Sequence, residues 1–155
     1  MRDTIHSDEN LPILLADRVV QNGFSKVGIL GLSYKGDLKV HILSPALRIS
    51  KRLMELGAKV KVNDPYYTGD EIKKITGAEN FQFPAGLSEF DCILIVAGHR
   101  SYRAISESEL KQHLTNCRLV IDNLEETWKE FDWKSMGVKY LIAGGKNWLL
   151  NKSEQ

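Results

Sequence analysis

A chain of 155 residues with 43% hydrophobic content can bury roughly two thirds of its unfolded surface in one domain, so no disulfide is needed to hold it. Its 21 basic and 20 acidic residues leave a net charge of +1, which excludes the strong overall field of a nucleic-acid- or membrane-binding chain. No apolar run approaches the ~20 residues that span a bilayer. The N-terminal "MRDTIHSDEN" lacks the apolar core of a secretory signal, so the expected compartment is cytoplasmic, with neither nucleic acid nor membrane as partner.

In chain order, "ENLPILLADRVVQNG" predicts a helix ending near Gly23, preceded by loose residues 1–8. "KVGILGL" (26–32) is a continuous apolar run, the signature of a parallel strand covered on both faces. Its glycines, Gly28 and Gly31, followed by Gly36, miss the G-x-G-x-x-G spacing of a dinucleotide turn. A long loop, 33–43, comes next. "SPALRISKRLMELG" then predicts a helix with Ser44 as N-cap, Pro45 at the first helical position and Gly57 past the end. A strand at 58–64, a short helix in "GDEIKKITG", a weaker strand pattern in "NFQFP" and a buried strand at 91–97 follow. "SESELKQHLT" places Ser106 and Glu109 at capping-box spacing, ahead of strands at 118–123 and 138–143. "EETWKEFDWKSMG" holds one or two helical turns between those strands, and "NKSEQ" is a polar tail. Alternating strands and helices build a parallel sheet. The expected fold is α/β: a Rossmann-like three-layer domain with a mainly parallel sheet of five or six strands.

Ligands of such sheets bind at the carboxyl ends of the strands, where strand order reverses. The loop 33–43 leaves the first strand at that edge, and its length favours a site. Lys35 there can approach an anion, and the opening N–H groups of the Ser44 helix can face the same point. From residue 26 to 61 eight basic residues stand against Asp37 and Glu55; a solvated helix face and an anion-binding end both fit. Asp64 ends the second strand, either as a ribose-binding acid or, preferably, as an ordinary turn opener. His99 and Arg100 follow the fourth strand, where a histidine can donate to a phosphate or cofactor or simply cap. Asp122 ends the fifth strand and caps the segment after it. Cys92 and Cys117 lack metal or redox spacing and read as packing residues. No catalytic constellation and no metal site is visible.

In order, "KVGILGLSYKGD", "SPAL", "LMELGAKVKVNDPYY", "FDCILIVAGHRSYRAI", "LVIDN" and "GVKYLIAGG" resemble the C-terminal domain of the UDP-glucose/GDP-mannose dehydrogenase family, its N-acetylmannosamine type most of all. The resemblance implies a nucleotide-sugar-binding Rossmann-like domain over 24–150, with 1–23 similar to the end of the family's interdomain helical segment and 151–155 a frayed tail. It implies that Tyr34 and Lys35 contact the nucleotide-sugar and that the loop is a lid shared between substrate and cofactor. His99 is the candidate on the cofactor side. The complete enzyme oxidises a sugar C6 hydroxyl with NAD and a cysteine thiol. Neither the NAD domain nor that thiol is in this sequence, so tight NAD binding is not expected of this chain. The implied partners are a UDP-sugar or related nucleotide-sugar, the missing dehydrogenase domains and a second copy in a homodimer. Ile42 and Leu43 stand where the family has an arginine and a glutamate, and Asn123 and Leu124 where it has Gly-Arg. Those substitutions support an alternative, a divergent Rossmann-like interaction module without ligand. A self-sufficient NAD enzyme is the least favoured reading.

Overall fold

Two-sided burial accounts for the strands. Along β1 (Lys26–Leu30), Val27 and Ile29 face one layer and Leu30 the other, and every position after Lys26 is buried. β4 (Cys92–Ile95) repeats the pattern with Cys92 and Leu94 against Ile93 and Ile95, and β5 (Leu119–Asp122) with Leu119 and Ile121 against Val120. β2 (Lys59–Asn63) alternates buried valines with partly exposed residues, as its sequence suggests for a strand nearer the edge. β6 (Lys139–Ile142) and a two-residue β3 (Glu79–Asn80) complete the sheet. All pairings are parallel, in the order β3-β2-β1-β4-β5-β6, the arrangement of dinucleotide-binding folds. Strand order therefore reverses between β1 and β4.

The computed structural model describes residues 2–33, 35–123 and 126–143, with residues 2–10 as backbone only. One layer holds α1 (Arg2–Gln21), α2 (Pro45–Glu55) and α3 (Gly69–Thr76) over an aliphatic core that includes Val19, Ile29, Ile49, Leu53, Val62 and Leu94. The opposite layer holds a 3-10 turn (Ala85–Glu89), α4 (Arg100–Arg103), α5 (Glu107–His113) and α6 (Trp133–Met136) over an aromatic core. The expected three-layer fold is what the chain adopts.

The caps follow the sequence closely. Ser44 Oγ accepts from Ala46 N–H, and Thr68 with Glu71 forms a reciprocal capping box on α3. Ser106 Oγ accepts from Glu109 N–H at the start of α5. Two expectations are corrected. The backbone is helical from Arg2, where loose residues are expected; Pro12 forfeits one helical hydrogen bond but does not end α1. The helix is held beyond the proline by Leu15, Ala16 and Val19 in the core and by Arg52 Nε donating to Asp17 Oδ1 at 2.7 Å. The sixth strand lies at Glu79–Asn80 rather than through "NFQFP", because Phe81 turns into the core and meets the edge of Phe90, centroids 4.7 Å apart. The aromatic cluster of "ETWKEFDW" is interior: Trp128 and Trp133 are buried, and their indole N–H groups donate to Tyr102 O and Trp128 O, each at 2.9 Å. The tail 151–155 lies outside the described residues.

Candidate functional site

Gly28 within β1 and Gly31 just after it serve strand packing rather than a phosphate cradle. A Cβ on Gly28 would lie 2.5 Å from the Phe90 ring. Gly31 has φ +103, and a Cβ there would lie 2.6 Å from the backbone nitrogen of Ala97. Its own N–H donates to Asn63 O at 2.7 Å. Only glycine lets β1 leave the sheet this close to the end of β4, and the G-x-G-x-x-G mismatch is thereby explained.

Beyond Gly31, the buried carboxylate of Asp64 organises the loop. Its Oδ2 accepts from Leu32 N–H at 2.7 Å and Ser33 N–H at 3.0 Å, lies 3.1 Å from Ser33 Oγ, and meets His99 Nε2 at 2.8 Å; its Oδ1 accepts from Tyr66 N–H. Burial by itself would raise the Asp64 pKa, but the bonds from His99, Tyr66 N–H and Ser33 N–H outweigh it and hold the carboxyl below the usual aspartate value. Asp64 thus opens the turn after β2, as in the preferred reading, and also anchors the loop after β1, a role its sequence position does not announce. Its oxygens are occupied by the chain's own donors rather than turned to solvent.

His99 is 1% exposed. The N–H of Asp37 donates to His99 Nδ1 at 2.8 Å, so the ring proton sits on Nε2 and is donated to Asp64. Asp37, at φ 62, returns the contact with its carboxylate: Oδ1 accepts from Arg100 N–H at 2.8 Å, and Oδ2 pairs with Arg103 at 3.0 Å. The Arg100 backbone bond, with Arg103 assisting against partial desolvation, holds the Asp37 carboxyl below its usual value. The loop therefore caps α4 from 63 residues away. Arg103 and Tyr102, whose hydroxyl donates to Asn63, are site-shaping residues that the sequence reading does not find. The Asp37–Arg103 pairing spans 66 residues and has no local pattern to betray it.

The far half of the loop docks on α3. Lys39 pairs with Glu71 at 3.2 Å and lies over the Tyr67 ring, while His41 Nδ1 and Tyr67 OH approach to 3.2 Å. Lys39, Arg52 and Lys61 of the basic segment are consumed by Glu71, Asp17 and Glu89, which favours the solvated-face account for much of that charge. Lys35 differs. It is exposed and has no ion-pair partner among the described residues. Tyr34 lies outside the described residues.

The N-terminus of α2 supplies less than expected. Pro45 has no N–H, Ala46 N–H is taken by Ser44 Oγ and Leu47 N–H by Ser44 O, which leaves mainly the helix field to act on an anion. Leu38 and Val40 are about half exposed, Ile42 is 68% exposed and Leu43, at φ 74, is 82% exposed. Among α1, α2 and the carboxyl ends of β4 and β5 is an apolar pocket of about 170 Å³, lined by residues that include Leu15, Pro45, Ile49, Leu94, Ile121 and Asn123.

Asp122 caps the turn after β5, accepting from Asn123 N–H, Trp128 N–H and Tyr140 OH. Both cysteines are buried; burial raises the Cys92 thiol well above its ordinary value and pushes Cys117 up to about 12. Neither is a thiolate at neutral pH. Among the described residues no helix is long and apolar enough to cross a membrane, and no cluster of metal-ligating side chains occurs.

Comparison with known proteins agrees with this architecture. The UDP-N-acetyl-D-mannosamine dehydrogenase of Methanococcus aeolicus is 26% identical over 133 residues, a match covering 81% of this chain and 28% of that protein. The UDP-glucose 6-dehydrogenase of Rhizobium meliloti is 26% identical over 121 residues, covering 77% and 27%. The chain thus spans under a third of the length of these curated relatives. Among solved structures, the UDP-N-acetyl-mannosamine dehydrogenase of S. aureus superposes with a TM-score of 0.66 at 22% identity, over 88% of this chain and 31% of that one. An NDP-N-acetyl-D-galactosaminuronic acid dehydrogenase from Methanosarcina mazei Go1 gives 0.68 at 20%, over 88% and 29%. The profile of the UDP-glucose/GDP-mannose dehydrogenase family's UDP-binding domain matches residues 28–135, the span from β1 through the Asp37–His99–Asp64 cluster to α6, and by that match the chain belongs to this family.

Proposed function

We propose that this chain is the nucleotide-sugar-binding module of an NAD-dependent UDP-sugar 6-dehydrogenase, with the turn bearing Tyr34 and Lys35 as the part that meets the nucleotide. The observation that carries the reading is Lys35, an exposed ammonium without an ion-pair partner among the described residues, on a turn fixed at the reversal point of the sheet. Such a charge attracts a diphosphate as a point charge rather than through a bidentate fork. Tyr34, its neighbour in the sequence, is the aromatic residue that the reading pairs with it. The rest of the dehydrogenase, which would bring the NAD site and the thiol, is the partner this edge serves, and the chain by itself binds without turnover. His99 enters this reading through the loop that it holds, since both its ring nitrogens already have partners.

Titration calorimetry with UDP, UDP-glucose, UDP-N-acetylmannosamine and GDP-mannose tests the reading. Binding of a UDP-sugar is expected, with Lys35→Ala weakening it about tenfold or more, the worth of one charge-assisted hydrogen bond. Absence of heat from a chain that still melts cooperatively would overturn it. The exposure of Ile42 and Leu43 favours a second reading, an interaction module that has kept the fold and lost the ligand. On that reading Lys35→Ala changes nothing measurable.

A further inference from the structure

We propose that His99 is the positioning residue of the ligand turn, and that one buried carboxylate, Asp64, sets both legs of that turn, the first directly and the second through the His99 imidazole. For the identity of the ligand this rests on the nucleotide-binding reading; the loop geometry itself does not.

The two legs are Ser33 and Asp37, which flank Tyr34, Lys35 and Gly36. Ser33 is tied to Asp64 Oδ2 by its N–H at 3.0 Å, and its hydroxyl reaches Leu38 O across the base of the turn at 2.5 Å. Asp37 reaches the same carboxylate oxygen only by way of the ring, Asp37 N–H to Nδ1 at 2.8 Å and Nε2–H to Asp64 Oδ2 at 2.8 Å. The imidazole is therefore a spacer of fixed length between Asp64 and the second leg. Its own place is set by burial, by the edge contact with Tyr66 (centroids 4.9 Å) and by Tyr102 at 5.5 Å. The charged groups around it are Asp64, Asp37, Arg100 and Arg103, and Asp37 spends its carboxylate on the last two.

The relay has a polarity that a space-filling side chain would not need. Toward Asp37 it must present an acceptor, and toward Asp64 a donor. Two near-isosteric substitutions separate these roles. In His99→Asn the amide oxygen sits where Nδ1 was and can accept from Asp37 N–H, while the Asp64 contact is lost. In His99→Gln the amide N–H reaches Asp64, while the acceptor for Asp37 is lost. Asp64 keeps its bonds from Leu32, Ser33 and Tyr66 in either case.

The experiment measures UDP affinity by calorimetry and Asp37 amide exchange by NMR in the wild-type chain and both variants. His99→Gln, which leaves the Asp37 N–H without an acceptor, is expected to weaken UDP about tenfold and to speed Asp37 exchange by at least as much, whereas His99→Asn, which keeps the acceptor but loses its anchor on Asp64, is expected to lose less, about threefold on both; a His99→Asn variant with no loss would mean that Asp64 does not act through the ring. Equal losses in the two variants, or an Asp37 amide that stays protected in His99→Gln, would overturn the proposal. Ring nitrogen shifts of the wild-type chain give a further check that needs no variant to fold: a proton found on Nδ1 at neutral pH would overturn it as well. If the wild-type chain does not bind UDP, the nucleotide reading falls, while the tautomer and the Asp37 exchange still decide whether His99 positions the turn.

Discussion

The approach of β1 to β4 at the reversal point can be tested with three alanines, at Gly57, Gly28 and Gly31. At Gly57, φ is +90 and no atom lies within 4 Å of the place a methyl would take, so alanine meets only the left-handed backbone penalty. That penalty is about 1–2 kcal/mol, offset by the ~0.5–1 kcal/mol that alanine gains by restricting the unfolded chain. A net loss near 1 kcal/mol is expected there. At Gly28 the backbone is ordinary for a strand, but the methyl would sit 2.5 and 2.7 Å from two Phe90 ring carbons, and overpacking of that kind costs about 1–3 kcal/mol. Gly31 combines both faults, φ +103 and a backbone nitrogen of Ala97 at 2.6 Å that cannot rotate away. Gly31→Ala should therefore lose about 3–4 kcal/mol, a large share of the 5–15 kcal/mol typical of a domain. Urea unfolding reads the series: with a slope of about 2 kcal/mol/M, the Gly31→Ala midpoint should fall by roughly 1.5–2 M. A Gly31→Ala midpoint within about 0.5 M of that of Gly57→Ala would refute the reasoning, because it would mean that β1 does not press against Ala97.

Because the Asp64 carboxyl is held below its usual value of 3.8, its contribution to stability is present above that pH and is lost as pH falls through the lowered value. Urea midpoints measured from about pH 5 to about pH 2.5 should therefore fall more steeply for the wild-type chain than for Asp64→Asn, and parallel curves would contradict this. Leu43 is 82% exposed at φ 74, so Leu43→Gly removes a strained backbone and no buried surface. It is expected to raise stability by about 0.5–1 kcal/mol, a Tm increase of about 2 °C, and a lower Tm would show that the leucine is in fact covered.

Local chemistry is legible in the sequence and long-range pairing is not. Ser44 and Ser106 announce their helices because a cap and its N–H donor lie within three residues. The apolar runs at 26–32, 91–97 and 118–123 name the central strands because burial on both faces leaves little room for polar residues. The weak β3 escapes its pattern since two residues of pairing carry almost none, and α4 goes unseen since its cap, Asp37, comes from another part of the chain. At the site, loop length and topology point to residues 33–43. The function of Asp64 and His99 within it depends on contacts 31 to 62 residues apart, which no spacing rule encodes. His99 stands out in sequence for its position after the fourth strand, but only the folded chain shows which partner each of its nitrogens holds.

The trans-capping of α4 also bears on the order in which the molecule assembles. Asp37 can reach Arg100 and His99 only once β1 and β4 are paired in register, and that closure joins segments more than 60 residues apart. Contacts of such separation form late, after local helices and turns, because loop closure costs entropy before it returns any contact energy. The turn of residues 33–37 is thus the final piece to be set, and on the proposed function a chain with its helices formed but its central strand pair open has nothing with which to grip a nucleotide. Ligand present during refolding should therefore act by slowing unfolding and not by speeding folding, since it meets a competent turn only on the native side of the barrier.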